Sequence, residues 1–96
     1  MRKYEIMFIV KPTVSEEEYK EVIKKFTEVL KSNGATIENE KNIGQKDLAY
    51  EIKDFKSGFY YLFNVETNDS KAIDEFDRQA RISDTIIRHL IKKIEG

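Results

Sequence analysis

Residues 44–66 read G-Q-K-D-L-A-Y-E-I-K-D-F-K-S-G-F-Y-Y-L-F-N-V-E, and this stretch decides the fold. Leu48, Tyr50 and Ile52 alternate with polar or small residues, and a second apolar set follows at every second position: Phe59, Tyr61, Phe63 and Val65. Alternation with a period of two is typical of half-buried strands, and the six residues between the runs end at Gly58. The stretch therefore predicts a β-hairpin with an apolar inner side. We expect that side to pair Ile52 with Phe59, Tyr50 with Tyr61 and Leu48 with Phe63, and to build the core.

The segments on either side of the hairpin add two helices and two strands. Residues 2–10 alternate like a central strand, and Ser15-x-x-Glu18 is a capping box that begins a helix with one apolar stripe. Asn33-Gly34 predicts the end of that helix. Three candidate N-caps at residues 68–70 precede a second amphipathic helix, and residues 85–94 form a last strand rich in isoleucine.

A change in parity marks a bend before the hairpin. Ile37 and Ile43 occupy odd positions, whereas the apolar residues from 48 to 52 occupy even ones. One regular strand cannot turn both sets to the same face, because its side chains alternate with a period of two. Gly44 lies between the sets and tolerates an irregular backbone, so we predict a bulge there.

The resulting order, strand-helix-strand-strand-helix-strand, predicts an α+β fold of the ferredoxin-like β-α-β-β-α-β kind. In this arrangement two helices cover one face of a four-stranded antiparallel sheet with strand order 4-1-3-2. A chain of 96 residues is long enough for one such core. We expect a single domain spanning residues 1–96.

Composition excludes several function classes. The chain has no cysteine, which excludes disulfides and thiolate chemistry, and its apolar runs are too short to cross a bilayer, so we expect a cytoplasmic protein.

The net charge is −1, from 17 Lys and Arg against 18 Asp and Glu. Residues 78–93 nevertheless carry five basic side chains and one acidic one, a local balance of +4. A solvated basic edge and a nucleic-acid contact both fit that segment.

The face of the sheet without helices is predicted to carry an apolar patch. If the more apolar side of each strand faces the helices, the opposite side presents neighbouring apolar residues from three strands. A contiguous patch of this kind indicates a protein partner, although scattered exposed apolar residues are also common. The predicted patch consists of Met7, Ile9, Tyr60, Leu62 and Leu90.

Catalysis has little support in the sequence. The single histidine, His89, lies among isoleucines, where a packed core histidine is more common than a general base. We find no nucleophile beside a base, no metal-ligand spacing and no glycine-rich phosphate loop. We therefore expect no enzyme activity, no cofactor and no metal.

Stacking of single-stranded RNA bases, as in the RNA-recognition motif, is a minor alternative. Residues 57–64 keep the glycine and two aromatic positions of that motif's third strand. They lack its basic residue before the glycine, its small residue after Phe59 and its final aromatic residue. The aromatic set that includes Phe59 is also the side that we assign to the core.

Residues 44–53, G-Q-K-D-L-A-Y-E-I-K, resemble the signature of the bacterial small-subunit ribosomal protein family number six. That signature is a glycine, any residue, a basic and a polar residue, L-A-Y, any residue, isoleucine, and a basic or small polar residue. The opening M-R-K-Y-E, Gly58-Phe59 and Arg81-Ile82 also match the family pattern. The resemblance extends over essentially the whole chain and implies the ferredoxin-like fold.

The resemblance also implies a structural role in the small ribosomal subunit. Family members pair with ribosomal protein eighteen, and the pair binds the central domain of 16S ribosomal RNA in the platform. The predicted patch would then contact the protein partner. An alternative is a free-standing regulatory module that binds a small ligand or itself through the sheet. Contacts to RNA are expected from Arg2, Lys3, Lys46, Lys53, Arg88, Lys92 and Lys93.

Overall fold

The computed structural model describes residues 2–95 and contains the six predicted elements. Met1 and Gly96, which the sequence assigns to the same domain, lie outside the described residues. No helix in the described part is long and apolar enough to cross a membrane. The elements are β1 (Arg2–Val10), α1 (Glu16–Ser32), β2 (Thr36–Ile52), β3 (Phe55–Thr67), α2 (Lys71–Ile82) and β4 (Ile86–Glu95).

The first helix begins and ends as its sequence predicts. Ser15 Oγ accepts a hydrogen bond from the Glu18 backbone N–H at 3.1 Å, and the Glu18 carboxylate accepts one from the Ser15 N–H at 3.5 Å. These reciprocal bonds form the capping box and satisfy two backbone donors at the helix start. After the C-cap at Asn33, Gly34 takes a φ of +95°, which glycine adopts without a steric penalty.

The second helix has a looser start. Ser70 is its N-cap residue but makes no capping bond through its side chain. Asp69 Oδ1 instead accepts a hydrogen bond from the Lys71 backbone N–H at 3.0 Å. Ser70 thus occupies the N-cap position, whereas the side-chain hydrogen bond comes from Asp69.

The strands form one antiparallel sheet in the order β2-β3-β1-β4, which confirms the predicted order and the ferredoxin-like fold. Both helices lie on one face, against the even-numbered side chains of the central strand β1. Phe8 of β1 is fully buried, and four aromatic rings surround it with centroids 5.7–6.0 Å away. Packed aromatic rings bury large apolar areas, so this cluster is the centre of the core.

The β2–β3 hairpin does not have the predicted register. Its turn is the two-residue pair Lys53-Asp54, with φ angles of 50° and 69°, and Ile52 lies opposite Phe55. Positive φ at both central residues matches the twist of a tight hairpin. The expected six-residue connection is wrong. The core residues Tyr61 and Phe63 face Asn42 and Glu40 rather than Tyr50 and Leu48, and Phe59 faces Gln45 rather than Ile52.

The predicted bulge at Gly44 is confirmed. The pairing of β2 with β3 shifts register between Asn42 and Gly44, and Gly44 has a φ of +93°. A Cβ placed on Gly44 would meet no atom within 4 Å. Glycine is therefore favoured at this position because of its positive φ angle, and not because a side chain would clash.

Candidate functional site

The sheet face opposite the helices brings the predicted patch together. Met7 lies between Leu62 on β3 and Leu90 on β4, and Ile9 lies between Tyr60 and Arg88 on the same two strands. Directly opposed side chains on one face of a sheet are in contact distance. We call this side of the sheet the open face.

Exposure differs widely across the open face. Leu90 is 55% exposed, and Met7, Tyr60 and Leu62 are half-buried. Ile9 is only 4% exposed, so the expectation that it belongs to an exposed patch is wrong. The cause is close packing: a Cβ added to Gly58 would lie 2.3 Å from Ile9 Cγ2. Ile9 therefore fills the space that the missing side chain leaves.

The end of the hairpin covers part of the open face. The β2–β3 pairing runs to Asp47 opposite Ser57 and resumes at Ile52 opposite Phe55, so residues 48–51 have no paired position on β3. We call residues 48–51 the crossing segment. A cavity of about 220 Å³ lies between it and the sheet. The cavity is lined by Met7, Ile9, Leu48, Ala49, Tyr50, Ile52, Tyr60, Arg88, His89 and Leu90.

The assignment of Leu48, Tyr50 and Ile52 to the core is therefore wrong. Tyr50 is 66% exposed, and the other two are half-buried beside the cavity. The physical reason is the tight turn at Lys53-Asp54, which shortens the connection and leaves extra residues on β2. These residues cannot continue the ladder, so they pass over the open face.

One hydrogen bond joins the crossing segment to the far side of the sheet. Arg88 Nη1 donates to the Tyr50 hydroxyl at 3.2 Å, although β2 and β4 are opposite edge strands. From the sequence, we expect Arg88 to contact RNA and Tyr50 to lie in the core. The pairing of a tyrosine with an arginine 38 positions away has no signal in either segment.

The predicted RNA-contacting residues fall into two groups along the strands. One group lies near the start of β1, where Lys92 pairs with Glu5 and Lys93 with Tyr4. The other group lies toward the hairpin, where Arg88 pairs with Ile9 and Lys46 with Gly58. The first group is Arg2, Lys3, Lys92 and Lys93; the second is Lys46, Lys53 and Arg88.

Neighbouring carboxylates partly neutralise the charge of Lys3, one member of the first group. Lys3 Nζ lies 3.7 Å from the Glu38 carboxylate and 3.8 Å from that of Glu66. The side chains of Lys46, Lys53, Lys92 and Lys93 are exposed, and Arg2 is half-buried. Because the side chains of Lys3 and Glu38 are both partly exposed to solvent, their ion pair is weak.

On the helix face, His89 is half-buried and bonded to a carboxylate. Its Nε2 lies 2.7 Å from Asp77 Oδ1, and Arg81 Nη2 lies 3.0 Å from Asp77 Oδ2. The hydrogen bond to His89, with the nearby Arg81 charge, holds the pKa of Asp77 below its ordinary value. The ionised Asp77 carboxylate therefore connects α2 to β4 through its bond to His89.

A small β-α-β-β-α-β domain with a helix-covered face and an apolar open face belongs to the ferredoxin-like class of α+β proteins, many of which have unrelated functions. The family model for ribosomal protein S6 matches residues 3–93 of this chain. The chain therefore belongs to the ribosomal protein S6 family, a family of structural ribosomal proteins, and the resemblance seen in the sequence is confirmed.

Solved structures agree with this membership. The crystal structure of 30S ribosomal protein S6 from Thermotoga maritima superposes with a TM-score of 0.93 at 28% sequence identity. The alignment covers 97% of this chain and 87% of that one. A protein from Arabidopsis thaliana superposes with a TM-score of 0.56 at 13% identity, covering 100% of this chain and 95% of that one. The similarity to the Arabidopsis thaliana protein shows a shared fold and nothing more.

Proposed function

We propose that this protein is a structural component of the small (30S) ribosomal subunit, located in the cytoplasm and without catalytic activity. In this proposal it binds the central domain of 16S ribosomal RNA together with ribosomal protein eighteen, as a single domain spanning residues 1–96. The observation that carries the proposal is the family match over residues 3–93, supported by the fit to the Thermotoga maritima protein.

The open face suits the protein partner. Its apolar residues come from three adjacent strands, and Leu90 is more than half exposed. Protein interfaces are built around apolar centres surrounded by polar residues, and Lys41, Asn64 and Lys92 lie next to this one. We assign the partner contact to Met7, Tyr60, Leu62 and Leu90, with Ile9 supporting them from beneath.

The basic side chains suit RNA phosphates. Five of the seven candidates have exposed side chains, and they lie at both ends of the sheet rather than in one cluster. Lysine and arginine contacts to phosphate position a protein on RNA and make its binding sensitive to salt. The net charge of −1 is compatible with this role if a basic partner supplies further positive charge.

Binding to a 16S central-domain RNA fragment, with and without ribosomal protein eighteen, tests the proposal. We expect salt-sensitive binding that is tighter when protein eighteen is present. Lys92→Ala with Lys93→Ala should lower the slope of log affinity against log salt by roughly 0.7–0.9 for each phosphate that the variant no longer neutralises. Absence of salt-sensitive binding in both conditions would contradict the proposal and favour a free-standing module that binds a small ligand or itself.

A further inference from the structure

The hydrogen bond between Tyr50 and Arg88 builds a polar site on an otherwise apolar face. The crossing segment carries Tyr50 from the β2 edge toward Arg88 on the β4 edge, and Arg88 Nη1 donates to the tyrosine oxygen at 3.2 Å. Around this pair the cavity wall is apolar, with Leu48, Ile9 and Leu90 among its residues. Two polar groups from opposite edges of the sheet thus meet above an apolar floor.

The partner of Arg88 distinguishes it from the arginines of α2. Arg78 and Arg81 are bonded to carboxylates, those of Glu75 and Asp77, which already balance their charge. Arg88 is bonded to a neutral hydroxyl, which leaves its positive charge uncompensated by that contact. A guanidinium carries five N–H donors, and the bond to Tyr50 uses one of them.

The same bond also orients the tyrosine. Because its oxygen accepts from Arg88, its own proton is directed elsewhere and can be donated to an anion. Hydrogen bonds in a chain strengthen one another, so a hydroxyl that accepts from a guanidinium is a better donor. Tyr50 is 66% exposed in the protein without a partner, and neither Tyr50 nor Arg88 is among the residues assigned to the partner contact, so the pair is accessible to an RNA strand.

We propose that Tyr50 and Arg88 together form a binding site for one phosphate group of the RNA backbone. Remaining N–H groups of Arg88 bind the phosphate oxygens, and the Tyr50 hydroxyl donates to the same phosphate while it holds the guanidinium in place. This inference rests on the proposed RNA-binding function. It adds Tyr50 to the RNA contacts and gives the crossing segment a task in RNA binding.

A double-mutant cycle measured by binding to the 16S central-domain fragment tests the site. The measurements use the condition, with or without protein eighteen, in which the unaltered protein shows salt-sensitive binding. Tyr50→Phe should weaken binding roughly two- to tenfold, because one hydrogen bond is removed and Arg88 is no longer held. Arg88→Gln should weaken binding and lower the salt slope by roughly 0.7–0.9. In the Arg88→Gln background, Tyr50→Phe should have little further effect.

Lys92 provides the matched control, since it is a basic residue of β4 that pairs with Glu5, away from Tyr50. In a Lys92→Gln background, Tyr50→Phe should keep its full effect, because groups that do not touch contribute additively. The thermal midpoint of Tyr50→Phe should stay near that of the unaltered protein, because the ring remains and the removed hydroxyl is exposed.

Three outcomes separate the possibilities. Absence of RNA binding by the unaltered protein overturns the proposed function and this site with it. Normal RNA binding by Tyr50→Phe overturns the site alone. An equal loss of affinity on Tyr50→Phe in the presence and absence of Arg88 also overturns it, because Tyr50 would then act independently of the guanidinium.

Discussion

His89 Nε2 lies 2.7 Å from Asp77 Oδ1, and this bond joins the edge strand β4 to helix α2. Apolar packing around Phe76 also connects α2 to the sheet, and the Phe76 ring centroid lies 6.4 Å from that of His89. A directional bond at the rim of an apolar contact fixes how the helix lies on the strand.

Asp77→Asn should destabilise the protein at neutral pH by about 1 kcal/mol, the usual value of one such hydrogen bond. The pKa of Asp77 is lowered in the folded state, so its contribution is present above the ordinary aspartate value, about 4, and is lost as the pH falls through the lower folded value. Urea unfolding at pH 7 and pH 3 measures this. The difference between the two proteins should be smaller at pH 3 than at pH 7, and an undiminished difference would contradict the electrostatic explanation. Asp84→Asn, in the exposed loop before β4, is the control.

Tyr61 should make the protein lose stability in alkaline solution. Burial, and secondarily its hydrogen bond to Glu40, raises the pKa of Tyr61 to about 12. In the unfolded chain the phenol ionises near its ordinary value, about 10, so unfolding becomes more favourable as the pH rises from 10 to 12. The urea midpoint of Tyr61→Phe should fall less over this range than that of the unaltered protein.

Glu40→Gln separates the two causes of the raised pKa of Tyr61. Since burial is the larger cause, this variant should keep most of the alkaline loss of stability. A Glu40→Gln protein that loses the effect entirely would show that the carboxylate, rather than burial, controls the tyrosine.

A side chain at Gly58 should destabilise the protein while Ile9 is present. A Cβ at Gly58 would lie 2.3 Å from Ile9 Cγ2 and 3.1 Å from the Val10 carbonyl oxygen. Gly58→Ala should therefore cost about 1–3 kcal/mol, typical of overpacking. In an Ile9→Ala background the added methyl group enters vacated space, so its cost should be smaller. Urea unfolding of the four proteins gives the coupling energy, and simple additivity would contradict the close packing of Ile9 on Gly58.

Leu90→Glu should weaken pairing with ribosomal protein eighteen if the open face is the protein interface. Leu90 is 55% exposed on that face, and Ile82, which ends α2, is 66% exposed. Ile82→Glu introduces the same charge at a similarly exposed residue and should leave pairing unchanged. Interface residues that contribute most to binding cost more than about 1 kcal/mol when truncated, roughly a fivefold loss of affinity, and a buried charge at Leu90 should cost at least as much. Calorimetric titration measures both variants, and equal losses would contradict the assignment.

Much of the fold could be predicted from local signals. The capping box at Ser15, the Asn33-Gly34 helix end and the parity change around Gly44 each have one physical cause in the adjacent residues. Alternation in β1 likewise identified the buried side, from Tyr4 to Val10. These features depend on few residues, so the sequence is sufficient.

The register of the β2–β3 hairpin does not follow from local sequence signals, and the position of the crossing segment on the open face depends on that register. A two-residue turn of positive φ usually contains glycine, whereas Lys53-Asp54 contains none. The sequence therefore favoured Gly58 as the end of the connection, although that glycine is required for contact with Ile9. Once the turn moves, residues 48–51 leave the core and cross the open face. The residue that Tyr50 contacts then depends on the order of the strands in the whole sheet. Local sequence patterns carry no information about that order.

The division of tyrosines between the two faces has an optical consequence. The chain has five tyrosines and no tryptophan, so its near-ultraviolet emission comes mainly from tyrosine. Tyr50 and Tyr60 line the open-face cavity, whereas Tyr4 and Tyr61 are buried in the core. A tryptophan-bearing partner that docks on the open face would quench tyrosine emission by energy transfer. The protein thus carries an intrinsic reporter of its own assembly that needs no attached dye.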